Sequence, residues 1–501
     1  MLATVGQITA GMARELAEAE GVCARPLLRR VTDRETGAVS RVALACGSTR
    51  EAVCPACAGK ARRLRMQQCA EGWHRTDEPE ADTGGITDNA APGDTGSISD
   101  NTDPDTGGIT PGRRVRSTKR RQDVPDLPHV PMSDRTVGVV FSGRDGKEHR
   151  PSMFITLTLP SYGAIHDGAP VTPATYDYRR TALDAMLFPR LLDQFWKTLR
   201  RTAGFNLQYF SAIEPQRRLA PHLHAAIRGV IPRKVLRQVV TATYLQVWWP
   251  AFDHAIYVDE LPRWTGTDYA DPRTGELLPT WEESLDAIDN DPDAAPAHVM
   301  RFGSQLDAQG IVRGQPDADR AIRYLTKYLT KDVVGTNDDD QEARRRAHID
   351  RLHLELRYLP CSERCANWLR YGIQPKHAGP HLAPGFCNGK AHRREHLGLG
   401  GRRVLVSRKW SSKTLARHRA DRAEVVREAL ESAGLVAPDV ERLSASVTTT
   451  DGRARFVWEQ IEGDHTTYAE VVMLAVAERR RWRTEYEAAR EVQQGRSAMP
   501  P

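Results

Sequence analysis

The sequence predicts an α+β protein in which an antiparallel sheet is flanked by helices. The first observation is the run MFITLTLP at 153–160, whose β-branched and apolar residues are typical of a buried strand. The second is a pair of strand-like segments, 205–215 and 222–230, joined by a short connection that favours antiparallel pairing. The third is helical periodicity in 178–204 and 233–249, which alternate with those strands.

Prolines set two of the predicted helix boundaries. Pro189 divides 178–204 into two predicted helical pieces, because a proline is favoured in the first turn of a helix. Pro232 opens the predicted helix over 233–249 for the same reason. Two further helices are predicted around 420–434 and 467–490, with a hairpin between them that turns at Asp451-Gly452.

Length and composition exclude several classes of protein. A chain of 501 residues holds about two to four domains. No apolar run approaches the ~20 residues of a membrane span. The N-terminus lacks a basic region followed by an apolar block, so no signal peptide is expected and the predicted location is cytoplasmic. There is no GxxxxGK[ST] motif to indicate a nucleotide-driven motor.

Charge is distributed unevenly along the chain. The formal net charge is +6, yet residues 77–110 contain acidic and no basic side chains. Three imperfect repeats, DTGGITDN, DTGSISDN and DTGGIT, lie in this stretch, and such a composition predicts disorder. The rest of the chain is therefore clearly basic, which favours contact with phosphates.

One candidate metal site is formed by EPQRRLAPHLHAAIRG at 214–229. His222 and His224 are two residues apart, so on a strand both imidazoles point to one face. Glu214 ends the preceding strand, and its carboxylate approaches the same face if the strands pair. Two nitrogens and one oxygen leave open positions on a divalent cation for substrate oxygens. The alternative is two histidines on a half-exposed strand.

The stretch AIRYLTKYLTKD at 321–332 repeats one tetrapeptide. On a helix, four of its side chains share one face, because positions three and four apart are neighbours: Tyr324, Lys327, Tyr328 and Lys331. A phenol beside cations ionises more easily and becomes a nucleophile. The alternative is a surface helix with half-buried packing tyrosines.

These two motifs together indicate phosphodiester chemistry. A metal would polarise the phosphodiester, a tyrosine would attack phosphorus, and a 3′-hydroxyl would leave. Two tyrosines on one helix face would act in turn, one in the first cleavage and the other in a second cleavage and rejoining, and the sequence leaves open which of them acts first.

The ordered motifs resemble those of the HUH endonucleases, and the Tyr-x-x-x-Tyr spacing resembles their two-tyrosine rolling-circle initiators. Five blocks are similar to RepSA-type initiators of actinobacterial plasmids and integrative conjugative elements: FITLTLPSYGAIH, EPQRRLAPHLHAAIRG, DRAIRYLTKYLTK, FCNGKAHRREHLG and GRRVLVSRKWSSKTLARHRADR. CGSTREAVCPAC extends the likeness to the N-terminal cysteines. The acidic repeats depart from the family pattern, as does WSSKTL, where a glycine is expected in place of one serine.

The resemblance implies a ferredoxin- or RRM-like sheet with the histidine strand at its centre and the tyrosine helix across its metal-binding face. It implies Mg²⁺ or Mn²⁺ bound by His222 and His224, with Glu214 as the third ligand. It implies Tyr324 and Tyr328 as nucleophiles, with Lys327 and Lys331 assisting. The expected partners are single-stranded and supercoiled origin DNA, together with a host helicase and replication machinery.

Eight cysteines in a cytoplasmic chain suggest metal binding before disulfides. The Cys54-Pro-Ala-Cys57 pair predicts a structural zinc site that Cys46 and Cys23 complete, with Cys69 as an alternative to Cys23. A second zinc site is predicted from the following set, with His377 as an alternative to the histidine: Cys361, Cys365, Cys387 and His392. For both groups the competing interpretation is free buried thiols. Trp248 and Trp249 suit either base stacking or core packing.

Five regions are predicted: a Cys-rich zinc module (1–75), a disordered acidic insertion with a basic linker (76–136), an HUH endonuclease domain (137–335), a Cys-containing basic region (336–415) and a helical C-terminal region (416–501). The predicted function is nicking of one strand at a replicon's origin. Rival functions are a two-tyrosine transposase or conjugative relaxase, a zinc-containing DNA-binding regulator without nuclease activity, and a water-using phosphodiesterase.

Overall fold

The computed structural model describes residues 8–73, 75, 78, 124–138, 141–142, 148–149, 151–311, 316–327, 339–401, 403–432, 443, 447–461 and 466–497. The helices are α1 (Ala10–Ala19), α2 (Pro55–Trp73), α3 (Tyr178–Ala203), α4 (Arg233–Ala242), α5 (Trp281–Asn290), α6 (Pro316–Lys327), α7 (Asp339–Tyr358), α8 (Leu415–Ser432) and α9 (Tyr468–Ser497). Short 3₁₀ helices cover Pro173–Thr175, Ala366–Tyr371 and Lys390–His392. In this part of the chain no helix is both long and apolar enough to cross a membrane.

The strands follow the chain in this order: β1 (Leu27–Asp33), β2 (Val39–Leu44), β3 (Phe141–Ser142), β4 (Glu148–His149), β5 (Ser152–Leu157), β6 (Ile165–His166), β7 (Ala169–Pro170), β8 (Tyr209–Pro215), β9 (Pro221–Arg228), β10 (Tyr244–Val247), β11 (Arg263–Trp264), β12 (Tyr269–Ala270), β13 (His298–Arg301), β14 (Leu306–Ile311), β15 (Val404–Val406) and β16 (Phe456–Gln460).

The largest sheet is antiparallel and has the strand order β14-β5-β9-β8-β15. Along the chain, α3 connects β5 to β8, a short turn connects β8 to β9, and a longer segment that contains α4 and α5 connects β9 to β14. Strand β9 lies at the centre, and all of its residues are buried. The predicted α+β class with an antiparallel sheet is therefore confirmed.

The two faces of this sheet are covered differently. Helices α3 and α4 cover one face and pack on alternate strand residues such as Ile155, Leu223 and Ala225. Helices α2 and α6 cover the other face, where Cys69 and Leu325 join the cluster around Phe154. Because side chains alternate along a strand, the second face also receives every other residue of β9, beginning with His222.

Two helix predictions were wrong. Helix α3 runs without interruption through Pro189. A proline inside a helix costs about 3 kcal/mol, but neighbours such as Phe188, Leu191 and Leu192 are fully buried against the sheet, and their burial outweighs that cost. The helix over 233–249 ends at Ala242, because Tyr244–Val247 alternates half-buried and buried residues as an edge strand.

The beginning and end of the chain meet in one small sheet. Strand β16 pairs with β1, which pairs with β2, and the predicted turn at Asp451-Gly452 lies just before β16. Arg455 forms ion pairs with Asp33 at 2.8 Å and with Glu35 at 2.7 Å. Helix α9 packs on α1. The C-terminal segment thus shares a sheet with the Cys-rich segment, while the boundaries of the five predicted regions remain predictions.

A buried arginine joins the Cys-rich segment to the central strand. The Arg228 guanidinium donates to the Gly72 carbonyl at the end of α2, with an Nη2–O distance of 2.6 Å, and also to the Trp410 carbonyl. It lies 5.2 Å from the Trp410 ring centroid. Burial lowers the pKa of Arg228 to about 10, so the group stays charged at neutral pH.

We expect Arg228→Leu to lower the free energy of unfolding by about 3–5 kcal/mol, because it leaves buried carbonyls without a donor. Chemical denaturation measures this change. The matched control is Arg201→Leu at an exposed position in the last turn of α3, which should shift stability by less than about 1 kcal/mol. A change of that small size at Arg228 would contradict a structural role for the arginine.

Candidate functional site

Three side chains converge on the α2/α6 face of the large sheet. Strand pairing sets Glu214 opposite His222 and Ala212 opposite His224, so all three candidate ligands share that face. The two Nε2 atoms of the histidines are 2.7 Å apart. The Oε2 atom of Glu214 lies 3.8 Å from His222 Nε2 and 3.7 Å from His224 Nε2. The ligand atoms of the three predicted residues thus lie within 4.8 Å of one another, close enough to bind the same metal ion.

Burial keeps both imidazoles neutral. Burial lowers the pKa of His222 to about 4 and that of His224 to about 3. Electrostatic repulsion from His222 lowers the pKa of His224 further. Thr156 on β5 contacts His224 Nδ1 at 3.0 Å, so a hydrogen bond there orients the ring. In the tautomer that carries the proton on Nδ1 of each ring, the two Nε2 atoms present lone pairs to the same point, which is an arrangement that a cation stabilises.

Tyr324 lies next to these three side chains. Helix α6 carries it, and Ile322 and Leu325 anchor the helix in the apolar layer beside the sheet. The Tyr324 hydroxyl is 3.5 Å from His224 Nε2, and its ring meets the His224 ring edge-on at a centroid distance of 5.0 Å. The residue is 40% exposed.

The other predicted members of the tyrosine helix are only partly visible. Lys327 is exposed in the last turn of α6. Tyr328 and Lys331 lie outside the described residues. The geometry of the site therefore rests on the first of the two Tyr-Leu-Thr-Lys repeats.

The turn between β8 and β9 is held by a residue that the sequence reasoning did not select. Arg218 donates to the carbonyls of Leu159 and Pro160 at 2.6 and 2.5 Å, beyond the end of β5. Its own carbonyl accepts from the Tyr176 hydroxyl. The adjacent Leu219 has a φ of 62°, so the turn is strained and needs such contacts to persist. These bonds fix the end of β8, and with it Glu214.

Family comparison agrees with the motifs. A family model described as "RepSA: Replication initiator protein, pSAM2" matches residues 9–478 of the chain. The chain belongs to the RepSA family. The resemblance predicted from the sequence blocks is thus confirmed.

A curated "Replication initiator protein" of Streptomyces ambofaciens is 25% identical over 295 residues, which make up 49% of this chain and 59% of that protein. The RepSA-family chain therefore spans less than two thirds of that relative's length. No solved structure matches the chain.

The N-terminal part of this RepSA-family chain brings four cysteines together: Cys23, Cys46, Cys54 and Cys57. Their Sγ atoms lie within 4.8 Å of one another. Backbone N–H groups point at the sulfurs, as in the contacts from Cys46 to Cys23 Sγ (3.2 Å) and from Ala24 to Cys54 Sγ (3.4 Å). This group could hold a metal ion such as zinc. Cys69, the alternative ligand, instead lies on α2 and packs in the apolar layer between this helix and the sheet.

A second cluster joins three cysteines and a histidine: Cys361, Cys365, Cys387 and His392. Their ligand atoms also lie within 4.8 Å of one another. His377 is exposed and is not part of the cluster, so the structure selects His392 from the two histidines that the sequence left open.

The ring centroid of Trp249 lies 5.7 Å from that of Trp368, which favours core packing over base stacking for Trp249.

The buried histidines predict acid sensitivity. Burial lowers the pKa of His348 to about 4, as it does for His222. These pKa values are depressed below the unfolded value of about 6.5, so between that pH and about pH 4 the unfolded chain binds more protons. The free energy of unfolding should therefore fall on acidification through this window, by up to about 1.4 kcal/mol per pH unit for each histidine.

Denaturation at several pH values, with weakly bound cations chelated, measures this slope. His348→Leu leaves Glu214, His222 and His224 in place. It should reduce the pH dependence of the free energy of unfolding by up to about 1.4 kcal/mol per pH unit, which corresponds to one proton. A free energy of unfolding that stays constant from pH 7 to pH 5 would contradict the buried neutral state of these rings.

Proposed function

We propose that this protein nicks one DNA strand at the origin of its replicon through attack by Tyr324, which leaves a 5′-phosphotyrosine link and a free 3′-hydroxyl primer for rolling-circle replication. The observation that carries the proposal is the 3.5 Å distance between the Tyr324 hydroxyl and His224 Nε2, inside a cluster with Glu214 and His222. Membership of the RepSA family supports the assignment to replication initiation.

The donor set suits a catalytic divalent cation. Two imidazole nitrogens and one carboxylate oxygen leave coordination positions open, and both imidazoles are neutral at physiological pH. Glu214, His222 and His224 would hold Mg²⁺ or Mn²⁺. When bound, this ion would supply Lewis-acid polarisation of the scissile phosphate.

The chemistry of the chain itself is a transesterification. The Tyr324 hydroxyl releases its proton to solvent, its oxygen attacks phosphorus, and the bond from phosphorus to the 3′-oxygen breaks. That oxygen leaves with the electron pair and takes a proton from solvent, so no oxidant or nucleotide is required. Lys327 and Lys331 would stabilise the charge on the transferring phosphoryl group. Tyr328 would perform the second cleavage and the rejoining.

The N-terminal cysteines would hold a structural zinc ion. Cys57 lies in the first turn of α2, and the other end of that helix packs beside the tyrosine helix α6 and against Arg228. A closed four-thiolate site contributes directly to folding. Zinc would therefore hold α2 in place, and α2 supports the sheet face on which the proposed nucleophile lies.

The test is a cleavage assay with single-stranded and supercoiled DNA from the origin of its own replicon, in Mg²⁺ or Mn²⁺. The expected result on a denaturing gel is a protein–DNA adduct together with a free 3′-end that a polymerase extends. Nicking without an adduct would instead indicate hydrolysis by water. Binding without nicking would indicate a regulator, and cleavage confined to transposon ends or a transfer origin would indicate a transposase or relaxase.

A further inference from the structure

We infer that Cys361, Cys365, Cys387 and His392 form a closed structural zinc site that fastens the end of α7 to the segment leading into β15. This site is separate from the proposed nicking centre. Its ligands come from two short stretches of chain, one directly after α7 and one around the 3₁₀ helix Lys390–His392.

The donor atoms converge on one point and do not pair. Cys361 Sγ is 4.0 Å from Cys387 Sγ, and Cys365 Sγ is 3.4 Å from His392 Nε2. A disulfide needs sulfurs about 2.05 Å apart, so Cys361 and Cys387 are not bonded to each other. Their separation instead suits two ligands of the same metal ion. Three sulfurs and one imidazole nitrogen form a Cys₃His set, which is a common ligand set for tetrahedral structural zinc.

The surrounding backbone orients these ligands. His392 Nδ1 lies 2.6 Å from the Leu356 carbonyl in the last turn of α7, so this nitrogen carries the proton and donates it. Nε2 is then the free lone pair, and it faces the sulfurs. The Gly389 N–H donates to Cys387 Sγ at 3.4 Å, which favours a thiolate.

The tight space around Gly389 points the same way. A Cβ atom at this glycine would lie 3.1 Å from Cys361 Sγ and 3.3 Å from His392 Cδ2. The backbone at Gly389 therefore lies directly against the donor atoms. Cys365 is fully buried and His392 is 8% exposed, as is typical of a structural and not a catalytic zinc site.

The segment between α7 and β15 has a clear need for such a link. Its regular structure consists of the 3₁₀ helices Ala366–Tyr371 and Lys390–His392, so few backbone ladders hold it. Yet it packs Trp368, Leu397 and Leu399 into the main core and ends in β15, the edge strand beside β8. A metal link compensates for scarce secondary structure by restricting the unfolded chain and fixing the folded one.

The first experiment is metal analysis of the full chain, in a His224→Ala background so that the proposed active site binds no ion. We expect two zinc ions per chain, one in Cys361→Ser/Cys387→Ser, and one in Cys54→Ser/Cys57→Ser. The control Cys69→Ala, at a buried cysteine outside both clusters, should keep two. Retention of two ions by Cys361→Ser/Cys387→Ser would overturn the inference.

A second measurement avoids variants that fail to fold. In the wild-type chain, alkylation mapped by mass spectrometry should find Cys361 and Cys387 protected until a strong chelator removes zinc, because a bound thiolate is not free to react. Both thiols are partly exposed, so burial alone does not protect them. Rapid labelling of both in protein that has not been treated with chelator would refute the site. Neither readout depends on nicking, so the outcome is independent of the proposed function.

Discussion

His224→Ala is expected to lower the rate of origin cleavage by at least about 10³-fold while the protein stays folded. Alanine removes an Nε2 donor that lies 2.7 Å from His222 Nε2 and 3.5 Å from the Tyr324 hydroxyl. Loss of a bound catalytic cation removes several kcal/mol of transition-state stabilisation, and each 1.4 kcal/mol is a factor of ten.

The matched control for this variant is His166→Ala. His166 is an exposed histidine on the short strand β6 that is not a member of the cluster, and its replacement should leave the cleavage rate within about twofold. Calorimetric titration with Mn²⁺ supplies a second readout, since His224→Ala should lose the binding that His166→Ala retains. Cleavage by His224→Ala at the control rate would show that the cluster takes no part in the reaction.

Tyr324→Phe is expected to abolish the first covalent adduct and to leave origin binding unchanged. The substitution removes one oxygen and keeps the ring that packs edge-on against Phe154 at a centroid distance of 6.0 Å. Folding should therefore be preserved, while the proposed nucleophilic oxygen is gone. Adduct yield on a denaturing gel and DNA affinity by fluorescence anisotropy separate the two effects.

Tyr328→Phe, in the second Tyr-Leu-Thr-Lys repeat, provides the comparison. This variant should still form the first adduct and should fail in the later cleavage and rejoining, which a substrate carrying two cleavage sites reports. If Tyr324→Phe keeps full adduct yield and Tyr328→Phe loses it, the assigned order of the two tyrosines is reversed.

The candidate site could be predicted from local sequence because each of its parts has a short-range rule. Strand alternation puts His222 and His224 on one face, and a short connection brings back the strand that ends in Glu214. Cysteine spacing likewise indicated both cysteine clusters. In the second cluster the sequence left two histidines open, since only the folded chain shows that His392, and not His377, reaches the sulfurs.

Long-range packing explains what could not be predicted. Pro189 carries a local signal for a helix start, but the burial of α3 against the sheet overrides it. Arg218 and Arg228 act through carbonyls far away in the chain, at Pro160 and Gly72, which no local pattern links to them. The one sequence signal for Arg228 was its position as a charged residue in a segment predicted to form a strand. The structure shows that this strand is buried throughout.

The central claim is tested most directly by mapping the nucleotide-bearing residue in the trapped adduct. Trypsin is unsuitable, because both repeats release the same peptide, Tyr-Leu-Thr-Lys. Cleavage before aspartate instead gives one peptide, 319–331, and its fragment ions distinguish Tyr324 from Tyr328. The account predicts that, after the first cleavage, a nucleotide is joined through its 5′-phosphate to Tyr324, and that this adduct forms only with a divalent cation. Cleaved DNA with no modified tyrosine in this peptide would contradict it.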